Sequence, residues 1–102
     1  MRYRPAIAWR RAVQAVLAEM GRAGVSEPFR MTAILTDGEI LYALRYATDP
    51  SPPSLYWHCD RDVLLVVSEP LDSDAIHWSE VPAQSLLLAE GQGQAAVEPF
   101  RV

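Results

Sequence analysis

Apolar side chains recur at helical spacing near the N-terminus. Between residues 6 and 23 they form one stripe, made of Trp9, Val13, Val16, Leu17 and Met20, with Arg10, Arg11, Gln14 and Ala18 on the other side. Pro5 suits the first turn of a helix, because a missing N–H costs little there, and Gly21 and Gly24 suit its C-terminal end. The pattern predicts a helix over residues 6–23 whose stripe faces a protein core rather than a membrane or a partner helix.

The pattern changes to strand spacing after the helix. Residues 29–35 are largely apolar and end in Thr36-Asp37-Gly38, and residues 40–48 follow as a returning strand. Asp-Gly between two strand-like segments is a strong signal for a hairpin, because the turn requires positive φ. One face of the returning strand carries Ile40, Tyr42, Leu44 and Tyr46, and the other carries Leu41, Ala43 and Arg45. Two largely apolar faces predict a central strand that is covered on both sides.

Further strands are predicted along the rest of the chain. The proline-rich residues 49–53 form a loop, residues 54–58 a short strand and Asp60-Arg61-Asp62 a turn. Residues 72–80 form a polar stretch that is irregular or contains one helical turn. Val63–Val67 is aliphatic throughout, which is typical of a buried central strand. Residues 85–89 and 95–97 form a last hairpin around Gly91-Gln92-Gly93. We therefore expect an α+β fold with one N-terminal helix packed on a mostly antiparallel sheet of about six strands.

Composition excludes several functional classes. Half of the 102 residues are hydrophobic, and nine arginines with no lysine stand against 13 acidic residues, which gives a net charge of −4. This balance argues against nucleic acid as a partner, because phosphate binding requires clustered basic residues. The aliphatic run of residues 63–67 is too short to cross a membrane. Arg10 and Arg11 interrupt any signal peptide, and a single cysteine, Cys59, fits a reducing compartment, so we expect a cytoplasmic protein.

Three reactive side chains stand together at His58-Cys59-Asp60. Neighbouring residues on a strand point to opposite faces, so His58 and Cys59 cannot easily act as a nucleophile–base pair. His77 is the only other histidine, and the spacing of these residues matches no zinc motif. The sequence predicts an incidental strand end here, with no metal site and no cofactor site.

Several carboxylates are candidates for chemistry, namely Asp37, Glu39, Glu69, Asp72, Asp74 and Glu80. Most are expected to be solvated, and Asp37 has a sufficient structural role in the turn. Glu69 directly follows an aliphatic strand, where a carboxylate commonly caps backbone N–H groups or pairs with an arginine. The chain lacks glycine-rich phosphate loops, GxSxG and HExxH. From these residues alone, the function is not determined.

Two motifs in the second half of the chain carry a family resemblance. Residues 66–71 read Val-Val-Ser-Glu-Pro-Leu, and residues 78–82 read Trp-Ser-Glu-Val-Pro. Together with the helix, the Asp37-Gly38 hairpin and the Tyr-Ala-Leu-Arg-Tyr strand of residues 42–46, their order and spacing resemble the YafJ-like and ergothioneine-biosynthesis (EgtC-like) class II glutamine amidotransferases. The family pattern usually has glycine soon after the Val-Pro pair, where this chain has Ala83 and Gln84.

The resemblance implies an N-terminal-nucleophile hydrolase built as an αββα sandwich. In this family, removal of the initiator methionine exposes a cysteine nucleophile, whose α-amino group can act as the base. An Asn-Gly pair helps to form the oxyanion hole, and an arginine with an acidic segment binds glutamine. The reaction is hydrolysis of a γ-glutamyl amide through a thioester. All of these elements lie N-terminal to the region that this chain resembles.

This chain does not carry that machinery. It contains no asparagine, its second residue is Arg2, which should block methionine removal, and Cys59 is internal. We therefore assign no catalytic residue and interpret the motifs, including Glu69 and Trp78, as scaffold. Residues 1–102 are expected to form a single partial domain, the C-terminal half of the amidotransferase domain, inactive alone as a glutaminase.

Three interpretations follow for what the chain does and what it binds. The first is the C-terminal half of an enzyme, from a truncated reading frame, a split gene or an expressed fragment, with the N-terminal half or a second copy as its partner. The second is a non-catalytic interaction module that keeps the family scaffold. The third is an unrelated small α+β protein whose motifs match by chance. The Ser68 to Val81 region favours the ergothioneine-type branch, whose substrate is a γ-glutamyl-cysteinyl conjugate.

Overall fold

The computed structural model describes residues 5–60, 63–69, 78–90 and 94–102, and of residues 5, 60 and 94 it describes the backbone alone. Several sequence-based predictions concern other residues. The Asp60-Arg61-Asp62 turn, the turn at Gly91-Gln92-Gly93 and most of the polar stretch 72–80 lie wholly or partly outside the described residues.

The N-terminal helix is α1, Pro5–Ala23. It ends in a Schellman motif, because Gly24 adopts φ 71° and the N–H groups of Gly24 and Val25 donate to the carbonyls of Gly21 and Met20. Val13 is buried, and Trp9 and Leu17 pack beside it, as the apolar stripe predicts. Val16 belongs to the same predicted stripe but lies exposed. The contact surface of the helix is therefore narrower than its apolar pattern.

A hairpin of β1 (Arg30–Thr36) and β2 (Ile40–Ala47) follows. Gly38 supplies the predicted positive φ, 94°, in the turn between the two strands. Asp37 accepts hydrogen bonds at its Oδ1 from the backbone N–H groups of Glu39 (2.9 Å) and Ile40 (2.8 Å). The structural role predicted for Asp37 is confirmed.

The described strands form two antiparallel sheets. The four-stranded sheet has the order β1-β2-β6-β7, where β6 is Ser85–Glu90 and β7 is Gln94–Pro99. The three-stranded sheet has the order β4-β3-β5, where β3 is Tyr56–Asp60, β4 is Val63–Val67 and β5 is Ser79–Glu80. The last predicted hairpin is confirmed as β6 and β7.

The helix and the two sheets stack as three layers around two cores. The helix-side core consists of Val13, Ile40, Tyr42, Leu44, Tyr46, Leu86 and Phe100, with Ala6, Trp9, Leu17, Phe29, Met31 and Leu88 packed against it. The inter-sheet core consists of Ala43, Leu55, Val81 and Leu87, with Leu41, Trp57, Val66 and Ala95 packed against it. Strand β2 contributes to both cores, so its prediction as a central, doubly covered strand is confirmed, as is the α+β class.

Two details of the predicted sheet were wrong. Val63–Val67 is not a central strand, because among the described strands only β3 pairs with it, and Val63 and Leu65 are 56% and 39% exposed. Ser79–Glu80, placed by the sequence in an irregular stretch, forms the short strand β5. Within the described ranges, no helix combines the length and the apolar character that are needed to cross a membrane.

Candidate functional site

The most polar buried position in the described chain is Arg45 on β2, which is only 8% exposed. Its Nε donates to the carbonyl of Pro53 (2.8 Å), and its Nη1 donates both to Oε1 of Glu80 (2.7 Å) and to the carbonyl of Val81 (2.7 Å). A longer contact, 3.4 Å, joins Nη2 to the carbonyl of Pro52. We call Arg45, Pro52, Pro53, Glu80 and Val81 the Arg45 cluster.

The Arg45 cluster joins three segments that are distant in sequence. A buried guanidinium is tolerated only when its donors are satisfied, and here three backbone carbonyls and one carboxylate supply the acceptors. Within the described residues, no buried side-chain nitrogen or oxygen lacks a hydrogen-bond partner. Because its donors are largely used on protein acceptors, Arg45 has little capacity left for an anionic ligand. The cluster is a structural connection between the two sheets and the proline-rich loop.

A second polar connection is formed by the turn before β6. Gln84 has a positive φ of 58°, which L-residues rarely adopt and which glycine adopts readily. Its side-chain Oε1 accepts a hydrogen bond from the N–H of Ala47 (2.7 Å), and its carbonyl accepts one from the N–H of Phe100 (2.8 Å). The side chain of Gln84 therefore makes a hydrogen bond that a glycine at this position could not make.

The reactive triplet of the sequence lies along β3. His58 pairs with Leu65 and Cys59 with Leu64, so the two side chains alternate between the faces of the three-stranded sheet. The ring of His58 packs on Trp78 with 5.6 Å between centroids, and Cys59 is half-buried and not part of a disulfide. The alternation keeps His58 and Cys59 from acting on one substrate atom.

The carboxylates that the structure describes do not assemble into a metal site. In the part of the chain that the structure describes, no group of three His, Cys, Asp or Glu side chains could hold a metal ion. Ser68 and Glu69 of the Ser-Glu-Pro-Leu motif are exposed in a bend after β4. Asp72, Asp74 and His77 lie outside the described residues. The described residues of the motif therefore do not form a cluster of reactive side chains.

The Arg45–Glu80 pair was missed by sequence reasoning. Glu80 appeared among carboxylates expected to be solvated, and Arg45 appeared only as a member of a strand face. One signal was available, because an arginine inside a strand that is apolar on both faces must find buried acceptors. The identity of those acceptors was not available, since Glu80 is 35 residues away.

The chain is similar to a solved structure of known family. A glutamine aminotransferase class-II domain protein from Silicibacter pomeroyi matches with 36% sequence identity and a TM-score of 0.67. The match covers 84% of this chain and 40% of the other chain, so this chain spans well under half of that relative's length. No family model matches the chain, and no curated protein does.

This similarity has both a structural and a sequence component. At 36% identity over 84% of the chain, the shared fold is accompanied by shared residues, which chance resemblance of small α+β folds would not supply. The layered arrangement of one helix on antiparallel sheets agrees with a partial domain of the N-terminal-nucleophile type. The comparison supports a relationship between this chain and the class II glutamine amidotransferases.

Proposed function

We propose that the chain supplies the C-terminal part of a class II glutamine amidotransferase domain, as its scaffold rather than its catalytic centre. The observation that carries this proposal is the match at 36% identity, which covers 84% of this chain but 40% of the other chain. In the complete domain the reaction is hydrolysis of a γ-glutamyl amide through a thioester, and the residues that perform it come from the remaining part.

The residue content of the chain supports this division of roles. An Asn-Gly oxyanion element cannot be present, because the sequence has no asparagine. The one cysteine lies within β3, where its backbone nitrogen is part of a peptide bond and cannot act as a free α-amino base. The charged groups of the Arg45 cluster are directed at protein acceptors rather than at a substrate. The chain therefore contributes stacked sheets and a covering helix.

A finer assignment concerns the substrate. The Ser68-Glu69-Pro70-Leu71 and Trp78 to Pro82 stretches resemble the ergothioneine-type branch, and on this ground we propose a γ-glutamyl-cysteinyl conjugate as the substrate of the complete domain. In the described part of these stretches, Trp78 packs on His58 and Val81 is fully buried, so both residues contribute to packing. The test is to measure hydrolysis of glutamine and of a γ-glutamyl-cysteinyl conjugate by a complete domain in parallel. Preference for the conjugate would distinguish this branch from a general glutaminase.

The scaffold proposal is tested by a hybrid protein. This chain replaces the matching region of the Silicibacter pomeroyi protein, and glutamate release from glutamine is measured for the hybrid, the parent and the chain alone. We expect activity in the parent and the hybrid and none in the chain alone. A hybrid that folds but is inactive beside an active parent would contradict the proposal. Glutamate release by the chain alone, abolished by Cys59→Ala, would place a nucleophile in this chain instead.

A second candidate function is that of a non-catalytic interaction module. The observation that favours it is the exposure of aliphatic side chains on β4, at Val63 and Leu65, in a strand whose sequence suits a buried environment. Association of the chain with a partner, without any glutaminase activity in the hybrid protein, would favour this function over the scaffold of an enzyme.

A further inference from the structure

Strand β1 is covered on one face and exposed on the other. Its residues alternate between half-buried and exposed along the whole strand. Met31 belongs to the half-buried set and packs against the helix-side core. Ile34 belongs to the other set and is 51% exposed. The structure describes both chain segments that flank β1, residues 24–29 and 37–39, and neither of them covers Ile34.

The exposed residues of β1 lie on the face that is directed toward the three-stranded sheet. Ile34 is directly opposite Ala43 of β2, which is in turn directly opposite Leu87 of β6. Side chains of directly opposite residues share one face of an antiparallel sheet, and here Ala43 and Leu87 are buried in the inter-sheet core with 0% exposure. The cover that the three-stranded sheet provides therefore ends between β2 and β1, while the apolar row continues to Ile34.

The uncovered side chains of β1 are suited to burial. We call Thr32, Ile34 and Thr36 the β1 strip, and none of the three residues carries a charge. The hydroxyl of Thr36 donates to the carbonyl of Ile40 (3.0 Å) and accepts from the N–H of Gly38 (3.1 Å). A partner that covers the β1 strip would therefore leave this hydroxyl with its hydrogen bonds and would remove the apolar surface of Ile34 from water.

We infer that the remaining part of the amidotransferase domain covers the β1 strip, with its own apolar side chains packed on Ile34. The inference rests on the proposed function, in which this chain is one part of a larger domain. The match to the Silicibacter pomeroyi protein covers 40% of that chain, so more than half of the relative's length lies in segments that this chain lacks. Those segments are the source of the missing cover.

The small size of the β1 strip favours this partner over a second copy of the chain. A stable dimer buries about 800 Å² of surface on each partner, and one isoleucine between two threonines supplies only a small part of such an area. A part of the same domain does not need the strip to hold it in place, because the parts of a domain share one hydrophobic core.

Thiol labelling of the hybrid between this chain and the Silicibacter pomeroyi protein tests the inference. Ile34→Cys places a thiol in the β1 strip, and peptide mapping after maleimide treatment reports its labelling separately from that of any other cysteine. We expect labelling at least about tenfold slower in the hybrid than in the chain alone, because a covered thiol is reached only through local opening. The matched control is Ile7→Cys, at a 41% exposed position of α1, which should be labelled equally fast in both proteins.

Two results would overturn the inference alone. One is a folded hybrid in which Ile34→Cys is labelled as fast as in the chain alone. The other is labelling of the chain alone that slows as its concentration rises from about 5 to about 500 µM, because a second copy would then cover the strip. An unchanged urea midpoint verifies that each cysteine variant still folds, and Thr32→Cys is a second reporter in the same strip.

Glutaminase activity separates this inference from the proposed function. A folded but inactive hybrid that protects Ile34→Cys contradicts the scaffold proposal and supports the cover of β1. An active hybrid that leaves Ile34→Cys fully reactive does the reverse. A hybrid that does not fold, beside a folded parent, overturns both, since the surfaces of the two parts would then not fit each other.

Discussion

Arg45 of β2 and Glu80 of β5 form an ion pair that joins the two sheets, with 2.7 Å between Nη1 and Oε1. The two residues contribute unequally, because the arginine is buried while the side chain of Glu80 is 54% exposed. The same Nη1 also donates to the carbonyl of Val81, and Nε donates to that of Pro53. Arg45 is therefore the centre of the connection, and Glu80 is one of its acceptors.

Replacement of Arg45 should be far more costly than replacement of Glu80. Arg45→Met keeps much of the apolar stem but leaves the buried carbonyl of Val81 without its guanidinium donor, so we expect a loss of about 2–4 kcal/mol in the free energy of unfolding. Glu80→Gln keeps a side-chain oxygen as acceptor at a half-exposed site and should cost about 1 kcal/mol or less. Urea unfolding measures both. Equal losses in the free energy of unfolding would show that Arg45 stabilises the fold mainly through the ion pair and not through the carbonyl contacts.

The turn at Gln84 leads to a second prediction. Gln84→Ala keeps the unfavourable positive φ and removes the hydrogen bond to the N–H of Ala47, so it should cost about 1–2 kcal/mol. Gln84→Gly also removes that bond but relieves the backbone by about 0.5–1 kcal/mol, so its net effect should be small. The midpoints of urea unfolding should rank wild type and Gly close together, with Ala lowest. An alanine variant as stable as the wild type would contradict the role of the side chain.

The local elements of this fold could be predicted from sequence, and the reason is physical. Asp37-Gly38 determines a turn through its own backbone and side chain. The apolar residues on both faces of β2 reflect the packing of each face against a core. Strand β4 could not be placed, because an all-aliphatic segment predicts burial but not its position in the sheet. The partners of Arg45 could not be identified either, because a contact between residues 35 apart leaves no periodic trace in the sequence.

Stability at low pH should depend on Asp49. The guanidinium of Arg30 hydrogen-bonds to this carboxylate (2.5 Å) and lowers its pKa below the ordinary value. In the unfolded chain the pKa returns to about 3.9, so between the two values the unfolded state binds more protons. The stabilisation is therefore present above about pH 4 and is lost as the pH falls through the lowered pKa of the folded state.

The matched variant for this prediction is Asp49→Asn. It removes the titrating group while keeping an oxygen that can accept from the N–H of Ser51. The difference in urea midpoint between wild type and variant should be constant near neutral pH and should shrink below pH ~4. A difference that does not change down to the lowest pH at which the protein folds would show that the ion pair with Arg30 does not influence stability.

Phe100 closes the helix-side core from the C-terminal end of the chain. It is 2% exposed, and its ring contacts that of Tyr46 edge-on with 5.7 Å between centroids. Its N–H donates a hydrogen bond to the carbonyl of Gln84. Nothing in the local pattern after β7 predicts this burial. Phe100→Ala should remove both the aromatic contact and most of the buried side chain, at a cost of about 3–5 kcal/mol. The matched control, Val97→Ala at an exposed position of β7, should cost about 1 kcal/mol or less.

Near-ultraviolet circular dichroism adds a structural readout to this last prediction. Because Phe100 packs against Tyr46, Phe100→Ala should weaken the tyrosine signal as well as lower the urea midpoint. Phe100→Leu keeps an apolar side chain without a ring, so it should recover much of the stability but not the aromatic signal. If Phe100→Ala unfolded no more easily than Val97→Ala, the ring of Phe100 would not be part of the core, and the hydrogen bond to Gln84 would be the only attachment of this residue.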